Sequence, residues 1–194
     1  MSSNQRYASS VGLFLLSLIL TFLGIGVTYG PMVLSLVFYG TALVVGCIAA
    51  ARASTGGAVR TAVSCGFVVV AVASPWILPI LKGEPAGYAI VIGIYGPAIS
   101  FLAMSWAYLT ARSSKPWPYI AAVVLAAVLV AAPHKLMVHV AHLLWETPLF
   151  GYIWAAVVIA FAVGFFLLIV VLNRGTENRR PAAQTKVMMP DEQN

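Results

Sequence analysis

Acidic residues are scarce in this chain. Glu84, Glu146, Glu177, Asp191 and Glu192 are the only five carboxylates among 194 residues, and none falls inside an apolar run. Ionisable groups at mid-membrane depth mark proton relays and ion-coupled carriers. Their absence argues against a coupled pump and against carboxylate-dependent chemistry within a bilayer. Motifs are missing as well. No His-Glu-x-x-His occurs, so the intramembrane metalloprotease signature is absent. The basic loop from Arg52 to Arg60 carries Ser-Thr-Gly-Gly but lacks the Gly-Lys-Ser/Thr ending of a P-loop. The chain does not read as an enzyme.

Cysteine is almost as rare. Cys47 and Cys65 are too few for a disulfide scaffold and are not spaced Cys-x-x-Cys. Both lie near the same end of consecutive apolar runs, so they are expected to be neighbours in depth. They read as small hydrophobes rather than a redox pair. Charge as a whole is thin: 8% of residues are charged and 61% are hydrophobic, with a mean hydropathy of +0.96. A typical soluble domain is about 25% charged. A soluble core would not absorb so much apolar surface.

What the chain does have is long apolar runs. A helix needs about 20 apolar residues to cross the hydrocarbon layer. Six such runs are found, at about 11–28, 32–51, 61–81, 88–110, 117–132 and 150–172. Arg6 precedes the first run, which is too long for a signal h-region and lacks a small-residue cleavage site, so an uncleaved span is expected. The expected fold is all-α: a polytopic membrane protein of six transmembrane helices, with a short amphipathic surface helix after span five. Residues 1–172 form the six-helix transmembrane domain, and 173–194 form a flexible polar cytoplasmic tail.

Six spans put both termini on one side. Arg6, Arg52, Arg60, Arg112, Lys115, Arg174, Arg179, Arg180 and Lys186 fall there, against Lys82 and Lys135 opposite. By the positive-inside rule the termini are cytoplasmic, in a cell-membrane, multi-pass arrangement. The net charge of +6 therefore reads as orientation and contact with lipid headgroups, not as nucleic-acid binding.

Three features carry candidate chemistry. In the segment after Pro133, a helix would set Lys135, His139, His142 and Glu146 on one face, with Leu136, Val140, Leu143 and Leu144 elsewhere. Such a stripe serves as the polar face of an interfacial helix. The same spacing lets His139, His142 and Glu146 approach one metal ion, and histidine also suits a pH sensor. No cofactor motif is present, and haem or a metal ion stays open only through these histidines. The second feature is the pair of helix interruptions, Ser74-Pro75 with Pro79 and Tyr95-Gly96-Pro97. They free backbone carbonyls that line a cavity in some transporters, which makes Tyr95 and Ser100 candidate solute-pathway residues. The third is in span five, where Ala122/Ala126 and Ala127/Ala131 fit the small-xxx-small pattern of close helix packing, within a bundle or between subunits.

The expected function is a nonenzymatic accessory subunit of a membrane complex. The alternatives are a small transporter or channel for an uncharged or weakly charged solute, and a redox or metal-handling subunit using the outer-face histidines. The expected partners are the lipid bilayer and other membrane subunits or a second copy of the chain.

Overall fold

The computed structural model describes residues 3–27, 32–82, 95–112, 115–144 and 150–177. All regular structure among them is helical: α1 Ser3–Val27, α2 Met32–Ala53, α3 Gly57–Lys82, α4 Gly96–Arg112, α5 Trp117–Leu144 and α6 Phe150–Glu177. Four of them hold segments long and apolar enough to cross a membrane: Tyr7–Ile25, Val33–Ala53, Gly57–Pro75 and Ala155–Arg174. The described part of α4 is 17 residues, and the apolar part of α5, Trp117–Ala132, is likewise shorter.

Successive helices alternate in direction, and side-chain hydroxyls tie them together. Ser17 donates to the Ala42 carbonyl at 2.7 Å and Ser35 to the Gly24 carbonyl at 3.3 Å, the register of an antiparallel α1–α2 pair. Ser64 donates to the Ala107 carbonyl at 2.6 Å and Ser100 to the Ala71 carbonyl at 2.7 Å, which sets α3 antiparallel to α4 in the same way. In an apolar surround such bonds are worth about 0.6 kcal/mol each on average. Their larger effect is to fix register.

The central element is α4, which touches all five other helices. Its sequence explains this position. Ala103, Ala107 and Ala111 recur every fourth residue and are buried, so neighbouring backbones come close. Between them Phe101, Met104 and Tyr108 are fully buried and fill the core. Phe14 of α1 and Phe166 of α6 meet Tyr108 edge-on, with ring centroids 5.8 and 5.6 Å away. Edge-to-face geometry sets the positive rim of one ring against the negative face of another.

Two details differ from the sequence expectation. Pro133 does not separate span five from the histidine segment: α5 runs unbroken from Trp117 to Leu144, so among the described residues a separate surface helix is not seen. Pro75 and Pro79, by contrast, lie inside α3, within the span expected at about 61–81. A proline deletes one backbone hydrogen bond, and in an apolar environment the freed carbonyl finds other partners while the helix continues. At the far end of the chain, α6 extends beyond Leu172 to Glu177, carrying Asn173 into the packed bundle and leaving Arg174 exposed.

Alternation gathers the start of α1, the α2–α3 turn, the end of α4 and the end of α6 at one end of the molecule. The turn is short. Gly57 adopts φ +84°, a left-handed conformation that glycine takes without steric cost, and α3 starts there. The backbone N–H of Thr55 reaches across to the Ala111 carbonyl at 3.3 Å. Arg52, Arg60, Arg112, Lys115 and Arg174 thus share one end.

Candidate functional site

At this basic end the interior closes on a tyrosine–arginine cluster. Tyr7 sits one turn into α1 and is almost fully buried. Its hydroxyl meets that of Tyr108 at 2.8 Å, either oxygen acting as donor. The Ser10 hydroxyl donates to the Tyr7 carbonyl at 2.8 Å. Asn173, fully buried on α6, sets its side-chain amide beside Tyr108. Three helices therefore contribute to one small polar core.

Two guanidinium groups cover the Tyr7 ring. The central carbon of Arg112 lies 4.3 Å from the ring centre and that of Arg174 lies 4.0 Å from it. A cation over a tyrosine face gains about 0.5–1 kcal/mol when exposed and about 2 when desolvated. Each arginine also stands in the last turn of its helix, where the carbonyl end of the macrodipole favours positive charge. Arg174 is exposed and Arg112 half-buried, and the Arg112 Nε is buried with no hydrogen-bond partner among the described residues. What the cluster offers chemically is concentrated positive charge with planar N–H edges, held in place by an aromatic ring.

The residues singled out from sequence are distributed differently. Tyr95, just before α4, is 48% exposed, while Ser100 is fully enclosed between α3 and α4. The Ser100 hydroxyl is engaged by the Ala71 carbonyl and stands 3.2 Å from the Ser74 hydroxyl. The two are not brought to a common surface. His139 and His142 lie on α5, but their side chains are outside the described residues, as is Glu146 altogether. Lys135, the described side chain of that stripe, is exposed. Among the described residues no group of three or more His, Cys, Asp or Glu side chains converges. Cys47 and Cys65 are neighbours across the α2–α3 interface, both free and half-buried.

Sequence reasoning did not single out the tyrosine–arginine cluster. Arg112 and Arg174 registered only as topology signals, Tyr108 as an ordinary part of span four, and Tyr7 lay ahead of the first expected span. The available signal was a tyrosine at the mouth of one span together with arginines ending two others. Set against known protein families, curated proteins and solved structures, the chain matches none of them.

Proposed function

We propose that this chain is a six-span protein of the cell membrane with both termini in the cytoplasm, serving as a nonenzymatic accessory subunit of a larger membrane complex. The observation that carries this reading is how the interior hydroxyls are used. Ser17, Ser35, Ser64, Ser74 and Ser100 all bind helix backbone or one another across helix interfaces. A solute pathway needs polar groups turned toward a cavity, and these are turned toward neighbouring helices.

The outer surface offers a place for a partner. On α6, Ala156, Ala160 and Gly164 recur at four-residue spacing and are all exposed. No atom lies within 4 Å of where a Gly164 side chain would begin. On α5, Ala127 and Ala131 face outward while Ala122 and Ala126 are buried in the bundle. Lipid makes no demand for small residues, whereas a partner helix packs closely against them. The test is native mass spectrometry of the gently solubilised protein from its own host. The wild type is expected to carry a second membrane polypeptide. The Ala160→Leu/Gly164→Leu double variant is expected to lose it, with its thermal unfolding midpoint in detergent unchanged. A bare monomer or a homo-oligomer for the wild type would overturn the subunit reading and direct attention to solute flux in liposomes.

A further inference from the structure

We infer that Arg112 and Arg174, braced on Tyr7, form a binding site for a phosphate group at the membrane surface. Two like charges set against one ring repel each other, since their carbon centres are no further apart than the 4.3 and 4.0 Å distances laid end to end. An anion between or beside them removes that repulsion. The carboxylates near this end do not suffice. On this side of the chain the sequence sets Glu177, Asp191 and Glu192 against nine lysines and arginines. Glu177 follows Arg174 by one helical turn, and a single carboxylate neutralises only one of the two guanidinium groups.

The geometry suits phosphate in particular. A guanidinium presents a planar fork of N–H donors that matches phosphate oxygens two at a time. The Tyr7 ring holds both guanidinium carbons within 4.3 Å of its centre, with Arg174 exposed and Arg112 half-buried beside it, so a surface anion meets both charges. Depth is the second, independent indication. Tyr7 opens the first membrane-length apolar segment and Arg174 closes the last. The cluster therefore sits where hydrocarbon gives way to headgroups, the level of a phospholipid phosphate. Basic pockets between helix ends at this level take anionic headgroups. A free phosphate ion offers the same oxygens without the acyl chains. This inference requires only that the helices sit in a bilayer and does not depend on the subunit reading.

The test uses the full chain, delipidated in a neutral detergent, with three probes: phosphatidylglycerol, phosphatidylcholine and inorganic phosphate. Lipid retention is read by native mass spectrometry and stabilisation by the thermal midpoint. The expected result is retention of phosphatidylglycerol over phosphatidylcholine, weakened at least about tenfold in Arg112→Gln/Arg174→Gln, the loss of two charge-assisted contacts. Arg52→Gln/Arg60→Gln, which removes the same charge from the exposed last turn of α2 and first turn of α3, is expected to leave retention unchanged. Stabilisation by inorganic phosphate alone, lost in the same double variant, would keep the site and assign it to a soluble anion. Should the glutamine variant fail to fold, Arg112→Lys/Arg174→Lys keeps the charge and removes the planar fork, and weaker retention is again expected. Equal retention by the wild type and the cluster variants, equal losses from both pairs of arginines, or no response to phosphatidylglycerol or phosphate would overturn the proposal.

Discussion

Gly46 of α2 is packed tightly against side chains of both α1 and α3. A methyl group built there would lie 2.6 Å from Val68 Cγ1 and 2.8 Å from Ser17 Oγ, and that hydroxyl is already committed to the Ala42 carbonyl. Gly46→Ala must displace both side chains, and overpacking of this kind costs about 1–3 kcal/mol. Gly40, on the same helix, has nothing within 4 Å of its added carbon, so Gly40→Ala meets no steric obstacle. Alanine also exceeds glycine in helix preference by about 1 kcal/mol. The expected pair of outcomes is a lowered thermal midpoint in detergent for Gly46→Ala and an unchanged or raised one for Gly40→Ala. Equal shifts would mean that α2 and α3 do not approach at Gly46.

Helix positions were legible in the sequence wherever one physical variable governs them. Length and hydropathy alone mark the apolar runs, so α1, α2, α3 and α6 match expected spans closely. Proline effects were not legible, because whether Pro133 ends a helix depends on what surrounds its freed carbonyl rather than on the residue itself. Small-residue patterns were half legible. The alternation in α5 was visible, but its division into an inward pair and an outward pair needed the neighbours, and the equivalent series in α4 passed unmarked. The two cysteines show what depth arithmetic achieves: their nearness across α2 and α3 followed from similar distances to the helix ends. Because the two cysteines are neighbours, an added thiol oxidant such as diamide is expected to join them, taking two electrons and two protons as the sulfur–sulfur bond forms. The readout is loss of maleimide labelling at both cysteines together, reversed by reductant and abolished by Cys47→Ser. Continued labelling of both after oxidation would place α2 and α3 in a different register.

For the whole molecule, alternation of helix direction and placement of charge are two separate observations that agree. The hydrogen bond from Thr55 to Ala111 and the stacking of Arg112 and Arg174 on Tyr7 bring basic residues from distant parts of the chain to one end. The site at that end was illegible in the sequence because its members are far apart: Tyr7 and Tyr108 are 101 positions from each other. Only a folded bundle makes them neighbours. The same end-on arrangement predicts which face meets the cytoplasm. Basic residues resist translocation, so the end bearing Arg52, Arg60 and Arg112 is expected to stay inside and the end of α3 at Lys82 to face out. In a cysteine-free background, Thr55→Cys on intact cells is expected to resist a membrane-impermeant maleimide until the membrane is opened. Gly83→Cys, just after α3, is expected to react at once. The reverse pattern would invert the molecule and move the arginine cluster to the outer leaflet. Equal labelling of the two positions before permeabilisation would break the link between the ends of α3 and the two faces of the membrane, and with it the six-span arrangement.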